Sequence, residues 1–321
     1  MQNSNLAPTN VEEVLDWLEE GKVSPAEAFA LFRAIGKRDE SWNGAVKGNQ
    51  EQLKDVLAEL DALIGLREVK QLVREIQAFV QIQKRRTEEQ LVTEPLVLHT
   101  IFRGNPGTGK TTVARILGRM FRHMEVLPRG HLVEVERADL VGEYIGHTAQ
   151  KTREQIRKAI GGILFIDEAY SLARGGEKDF GKEAIDALVK AMEDYKQEFI
   201  LVLAGYTEEM ESFLQTNPGL RSRFPLHIDF PDYNAQELLA IAELMLEKRQ
   251  YRLTEGARRR LALLINKGLR TETYSFGNAR TVRNWIELAL RRQAVRLVQK
   301  PGQMTRKDLL NIEAEDFGEG W

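Results

Sequence analysis

Gly104-Asn105-Pro106-Gly107-Thr108-Gly109-Lys110-Thr111 lies between a strand-like run, Leu96-Val97-Leu98-His99-Thr100-Ile101-Phe102, and a helix-like run, Thr112-Val113-Ala114-Arg115-Ile116-Leu117. It matches G-x-x-x-x-G-K-[ST] in full, with the strand before and the helix after that give the pattern its meaning. Glycines at 104, 107 and 109 let the backbone turn back on itself and present N–H groups to a phosphate. The helix beginning near Lys110 adds the positive end of its dipole. The Lys110 ammonium reaches the β- and γ-phosphates, and the Thr111 hydroxyl ligates Mg²⁺. The stretch predicts a site for ATP or a similar nucleotide, lined by Asn105, Pro106, Gly107, Thr108, Gly109, Lys110, Thr111 and Thr112.

A second stretch, Gly162-Ile163-Leu164-Phe165-Ile166-Asp167-Glu168, is an apolar strand that ends in adjacent carboxylates. Four successive large apolar residues read as a strand buried on both faces, as in a parallel sheet covered by helices. Open α/β sheets place ligands at the C-terminal edge of such strands. Asp167 is the expected Mg²⁺ ligand, directly or through water, and Glu168 the residue that orients and polarises the attacking water. Two solvated carboxylates at a strand end would be the bland alternative.

Outward from these motifs the core alternates strand and helix, which predicts a mostly parallel sheet. The expected strands are Val97–Phe102, Leu132–Val135, Ile163–Ile166, Phe199–Ala204 and Leu226–Phe230. After Pro231-Asp232-Tyr233 the alternation stops, and residues from Gln236 to Val298 read as an all-helical domain. The stretch from Glu313 to Trp321, acidic and glycine-containing, is expected to fray. Near the start, Asn10 with Glu13 and Ser24-Pro25-Ala26-Glu27 make two capping boxes, followed by helical periodicity and closed by Gly21 and Gly36. They predict a small helical hairpin that docks on the main body, self-associates or binds a partner. Lys37 to about Gln52 is polar and reads as a linker; helices follow, interrupted at Ile64-Gly65-Leu66.

The 321 residues suggest two or three domains, and 42% hydrophobic with 29% charged residues is the balance of a globular chain. A formal net charge of −2 supplies no basic field for nucleic acid, and Arg258-Arg259-Arg260 is the only dense basic run. No cysteine is present, which excludes disulfides, thiol catalysis and thiolate metal sites. The first residues have neither a charged n-region nor an apolar core, and no apolar stretch spans a bilayer. A cytoplasmic protein with no membrane span is expected.

The order of P-loop, Asp-Glu strand, a strand ending Ala204-Gly205-Tyr206, a paired-arginine segment and a helical region resembles the AAA+ ATPases. Within them, Gly104 to Lys110, Ala138-Asp139-Leu140-Val141-Gly142-Glu143-Tyr144-Ile145-Gly146-His147-Thr148 and Asn217-Pro218-Gly219-Leu220-Arg221-Ser222-Arg223-Phe224 resemble the CbxX/CfqX branch, from about Leu60 to Val298. The implied fold is α/β: a P-loop AAA+ parallel-sheet core, a C-terminal all-helical lid domain and a small N-terminal helical hairpin. The implied boundaries are 1–36 for the hairpin, 37–55 for the linker, 56–232 for the nucleotide-binding domain and 233–321 for the lid.

The resemblance further implies a homo-oligomeric ring, a hexamer, that hydrolyses Mg²⁺-ATP to pull on or remodel a protein client. Members of the branch serve spore formation, Rubisco reactivation and secretion-linked tasks, so no one client is implied. Arg223 first, then Arg221, corresponds to the arginine finger that reaches a neighbour's γ-phosphate. Arg280 in Gly277-Asn278-Ala279-Arg280 holds the sensor-2 position, with Arg283 one turn along. Ile64 and Gly65 match the backbone that grips adenine, although Gly65 also reads as a helix stop. Tyr144, Ile145 and Gly146 correspond to the substrate-gripping pore loop, and the glycine-rich charged loop from Arg174 to Gly181 to a second one. The sensor-1 asparagine common in AAA+ proteins is missing: the fourth strand ends Ala204-Gly205-Tyr206-Thr207, leaving a tyrosine or threonine hydroxyl. Two rival readings keep the fold: a nucleic-acid motor or loader, and an ATP-gated assembly switch that threads nothing.

Overall fold

The computed structural model describes residues 17, 22–23, 40–94, 96–142, 144, 146–174, 180–271, 276–300 and 303–318, with side chains 40–49 left out. Nearly all of the expected hairpin at 1–36, Ile145, and residues 175–179 of the second loop lie outside the described residues. The chain divides into two compact units, Met1–Val56 and Leu57–Trp321. Helix α1 runs Glu40–Ala62, so helix begins inside the stretch read as a polar linker. Gly44 and Gly48 each cost a helix only about 1 kcal/mol relative to alanine, and the alanine, glutamine, glutamate and leucine residues around them favour it.

After the last turns of α1 the larger unit continues with helix α2 (Arg67–Glu88), entered through two left-handed residues, Gly65 and Leu66. The core continues β1 (Thr100–Gly104), α3 (Lys110–His123), β2 (Leu132–Val135), α4 (Arg137–Leu140), α5 (His147–Ala159), β3 (Ile163–Ile166), a 3-10 turn (Ala169–Ala173), α6 (Gly181–Asp194), β4 (Ile200–Gly205), α7 (Thr207–Thr216), α8 (Pro218–Arg221) and β5 (Leu226–Phe230). The strands form one parallel sheet in the order β2-β3-β4-β1-β5, with Val133 opposite Leu164, Phe165 opposite Val202, Thr100 opposite Val202 and Phe102 opposite Ile228. Every residue of β3 and β4 is buried, as continuous apolar runs between two helical layers require. On one face Ile101, Leu164, Ile166, Leu201 and Leu203 join a core with Ile156, Leu188 and Phe213 from α5, α6 and α7. On the other, Phe102 meets Phe165 and Phe230, ring centroids 6.3 and 4.9 Å apart.

Strand β1 starts three residues later than its apolar run. The Leu201 backbone N–H is taken by Nδ1 of His99 at 3.0 Å instead of by a backbone carbonyl, so the ladder between β1 and β4 begins only at Thr100. His99 is buried between Phe199 and Phe224, and burial pushes its pKa down to about 4.

The lid comprises α9 (Ala235–Glu247), α10 (Glu255–Thr271), α11 (Asn278–Gln299) and α12 (Arg306–Leu310). It is helical apart from a two-residue parallel pair, β6 (Arg252–Leu253) with β7 (Asn311–Ile312). The expected fraying does not extend to Glu313–Gly318. Phe317 is fully buried, and Arg296 forms a two-point ion pair with Asp316 at 2.9 and 2.7 Å. The acidic composition suggested solvation, but one aromatic anchor and a neutralising arginine on α11 dock this segment.

A neutral, buried His99 ties stability to pH. Its folded-state pKa lies below the unfolded value, so its stabilising contribution is complete above about pH 6.5 and is lost as pH falls toward about 4. Between about pH 7 and pH 5 it should account for roughly 2 kcal/mol of lost stability. His99→Asn, which keeps an acceptor but does not titrate, should show a correspondingly shallower decline in denaturant midpoint.

Candidate nucleotide site

The P-loop turns directly off the end of β1. Gly107 has φ 73°, and a Cβ there would lie 2.3 Å from the carbonyl oxygen of Gly277. No other residue both adopts that φ freely and fits that gap. Thr108 is buried, its hydroxyl donating to Asn105 O at 2.7 Å, which stiffens the loop. Nζ of Lys110 donates to the carbonyls of Gly104 and Asn105 at 2.7 and 2.9 Å, so the ammonium is held over the concave side of the loop. Burial lowers its pKa; the charges of Asp167, Asp232 and Glu168 oppose that shift, and Arg280 reinforces it. One guanidinium and three carboxylates, from three segments, thus act on one ammonium.

Strand β3 delivers the carboxylates. The Asp167 N–H donates to Val135 O at 3.1 Å, which carries the ladder with β2 one residue beyond the strand. The Glu168 N–H then donates to Asp167 Oδ1 at 3.0 Å, and Glu168 itself adopts φ 47°, ψ 45°. A non-glycine residue in the left-handed region stores strain of order 1–3 kcal/mol, a cost that structures tolerate mainly at functional positions. The turn leaves Glu168 exposed at the mouth of a cavity of about 590 Å³, lined by both carboxylates, Glu136, Arg137, Ser171 and Arg280.

A second cleft of about 620 Å³ runs from the P-loop to the lid. Lys110, Thr111 and Thr112 line its P-loop end; Leu63, Ile64, Leu66, Tyr233, Ile241, Leu244 and Met245 give it apolar walls. Tyr233 is held by its hydroxyl, which donates to Thr108 O at 3.1 Å, and burial first, then Glu237, pushes its pKa up to about 12. Arg280 lines both cavities.

Of the sequence-derived positions, Ile64, Pro106, Gly107, Gly109, Lys110, Thr111, Thr112 and Arg280 come together around the cleft, and Asp167 and Glu168 with Arg280 around the adjoining cavity. Gly65 forms the left-handed turn behind Ile64, packed against Glu237 and Tyr233. Asn105 is not among the residues lining the cleft; its amide donates to both oxygens of Asp232 at 3.0 and 2.9 Å. Arg221 and Arg223 line neither cavity. Arg223 is ion-paired with Glu193 and donates to Gly219 O at 2.6 Å; Arg221 is exposed, and its side chain has no hydrogen bond or ion pair among the described residues. Tyr144 is 65% exposed, with His147 packed edge-on at 5.4 Å, and Gly146 has φ 84°. At the tip of β4, Tyr206 packs on Tyr170, ring centroids 5.8 Å apart. The sequence reading missed Asp232, Tyr233 and Asn278. The pattern Ile241, Leu244, Met245 was visible, but helical periodicity alone does not separate a cleft wall from a lid core.

Backbone that grips phosphate at one strand end, with carboxylates two strands away, is the division of labour of P-loop ATPases, and fold and site assign the chain to that class. The profile of the ATPase family associated with various cellular activities (AAA) matches residues 100–232, and that of the AAA lid domain matches 234–321. The chain is 52% identical over 293 residues to stage V sporulation protein K of Bacillus subtilis (strain 168), covering 91% of this chain and 88% of that one. It is 46% identical to protein CbbX of Cereibacter sphaeroides, covering 82% and 86% of the two chains. It is 44% identical to the chloroplastic ribulose bisphosphate carboxylase/oxygenase activase of Cyanidioschyzon merolae (strain NIES-3377 / 10D), covering 84% and 92%. Among solved structures, the Thermotoga maritima RuvB Holliday junction branch migration motor superposes with a TM-score of 0.51 at 19% identity, over 80% of this chain and 69% of that one, a likeness of fold alone. The chain belongs to the AAA ATPases, in the CbxX/CfqX branch. It binds nucleotide and hydrolyses ATP.

The geometry separates binding from chemistry. Lys110→Ala should weaken ATP affinity roughly 10- to 100-fold, the equivalent of about 1.5–3 kcal/mol for hydrogen bonds to a charged group. Glu168→Gln should keep affinity and lose turnover by about 10²–10⁴, the range of general-base catalysis. Nucleotide titration beside steady-state hydrolysis measures both; equal loss of affinity in the two variants would contradict the assignment.

Proposed function

We propose that the protein is a Mg²⁺-ATP-dependent AAA+ ATPase of the cytoplasm that assembles into a homo-oligomeric ring, a hexamer, and uses hydrolysis to pull on or remodel a protein partner. Residues 56–232 carry the nucleotide site and its loops, and 233–321 the lid. One observation supports the ring above others: Arg221 and Arg223 lie outside the cavities that hold Lys110, Glu168 and Arg280. A finger on that segment serves a neighbour's nucleotide. Arg223 must first leave Glu193, a solvent-screened pair of little strength.

Thr111 and Asp167 fit Mg²⁺. Among the described residues no three His, Cys, Asp or Glu side chains form a standing metal cage. One hydroxyl and one carboxylate suit an ion that takes its remaining ligands from phosphate and water. Bound Mg²⁺ would neutralise charge developing on the phosphates. Lys110 and the P-loop backbone hold the phosphates, Glu168 takes a proton from the attacking water, and Arg280 stabilises charge on the transferred group.

Among the described residues, no helix is long and apolar enough to cross a membrane. The basic run on α10 is committed within the lid: Arg258 pairs with Glu243 at 2.6 Å, Arg259 with Glu255 at 3.1 Å, and Arg260 donates to Gly318 O at 3.4 Å. No stripe remains there for a nucleic-acid backbone. The name of the sporulation relative points to spore formation as one setting. A Glu168→Gln trap, held with ATP and analysed by mass spectrometry, would identify the client.

ATP turnover per subunit should rise with protein concentration. Arg223→Ala should keep nucleotide affinity and lose about 10³-fold or more in kcat. Mixing Arg223→Ala with Glu168→Gln should restore part of the activity, since each supplies what the other lacks. A silent mixture, or full activity from a monomer in sedimentation, would refute the shared site.

Because Tyr144 is exposed, Tyr144→Ala should change stability by no more than about 0.5 kcal/mol and leave basal ATP turnover intact. Capture of a labelled unfolded polypeptide in the Glu168→Gln background should nevertheless fail, since a methyl group offers no broad surface to grip. Undiminished capture would remove Tyr144 from the pulling mechanism.

A further inference from the structure

A polar network centred on one buried side chain joins the P-loop to the lid, and the chemistry described above does not use it. Asn278, the first residue of α11, is 1% exposed and adopts φ 48°. Its Oδ1 accepts the Tyr233 N–H at 3.0 Å, and its Nδ2 donates to Asp232 Oδ1 at 2.8 Å and to Pro106 O at 3.3 Å. Asp232 also accepts the Asn105 amide through both oxygens, so one carboxylate holds the P-loop from one side and the lid helix from the other. Beside it the Ala279 N–H donates to Gly107 O at 3.3 Å. A Cβ on Gly107 would stand 2.3 Å from Gly277 O and 2.7 Å from Arg280 N, so P-loop and lid backbone are in direct contact.

The residue type suits the task. Asparagine tolerates the left-handed conformation better than most residues, and its amide carries an acceptor oxygen and two N–H donors on separate atoms. A buried polar group in such a conformation persists when its surroundings over-determine it. The polar atoms of this side chain bond to both sides of the core–lid junction.

We infer that Asn278 is a positioning residue that clamps the P-loop to the first turn of α11, with Asp232 as the shared acceptor, and thereby sets where Arg280 stands relative to the γ-phosphate. A movement of the P-loop backbone on phosphate binding passes directly to the lid through Pro106, Gly107 and this clamp. Lid angle then follows nucleotide state by two routes, the guanidinium of Arg280 and the backbone of the P-loop. The catalytic consequence rests on the proposed role of Arg280; the mechanical clamp does not.

The chain has no cysteine, so Gln150→Cys on α5 and Leu263→Cys on α10 accept a dye pair that reports core-to-lid distance. Asn278→Gly keeps the left-handed backbone and removes the amide. It should broaden the distance distribution with and without ATP, lower kcat about tenfold, and reduce the preference for ATP over ADP by a similar factor. Asn278→Asp, which sets a carboxylate against Asp232, should do the same, and Asp232→Asn added to it should partly restore both readouts. Arg280→Ala should lose the nucleotide preference while its distance distribution without nucleotide stays narrow. An unchanged distribution in Asn278→Gly, or no rescue by the exchanged pair, would overturn the clamp. A normal nucleotide preference in Arg280→Ala would instead overturn the sensor reading and leave the clamp to be judged on distance alone.

Discussion

Strand order governs this molecule. With β4 placed between β3 and β1, the two motif-bearing strands end on the same edge, separated by one strand width on either side of Gly205. The registers Phe165 with Val202 and Thr100 with Val202 bring the P-loop and the Asp167-Glu168 turn to adjoining cavities. Parallel strands hold such a register because both faces are buried, so a slip of one residue would turn every side chain to the wrong face. The fully buried β3 and β4 leave no solvated face to relax it.

The charges at this edge oppose one another. Lys110 is partly desolvated, which disfavours its charge and lowers its pKa, and three carboxylates offset part of that effect. Glu168 is held out toward solvent by a left-handed turn that most residues avoid. A site arranged this way holds Lys110 inside the loop and leaves Glu168 exposed at the mouth of the adjoining cavity. Around them Asp232, Asn105, Asn278 and Thr108 bond to one another or to loop carbonyls, with Asn278 and Thr108 buried and Asp232 open to solvent.

Much of this was legible in the residues. Four of the five strands were placed within a residue of their ends, since apolar runs bounded by turn residues leave little freedom. The P-loop and the carboxylate pair were legible because their chemistry depends on spacing within one segment. Less legible were the start of β1, displaced by a histidine that took a ladder donor, and α1, whose glycines read as a break that the surrounding helix formers override. The docked segment ending at Phe317 was misread for a different reason: its composition is acidic, and the single arginine that neutralises it lies on another helix.

The sequence by itself determined the class of chemistry, because a phosphate-binding loop and a strand-end carboxylate pair are local patterns whose meaning survives without the fold. Only the tertiary structure decided which distant residues complete the site. Arg280 lines both cavities, Tyr233 and α9 side chains wall the apolar part of the cleft, and Asn278 meets Asp232 across the core–lid junction. The physical reason is that hydrogen bonds and charge interactions act over a few ångströms in space, while Asn278 and Asp232 lie 46 residues apart along the chain. No periodicity or spacing rule encodes that distance.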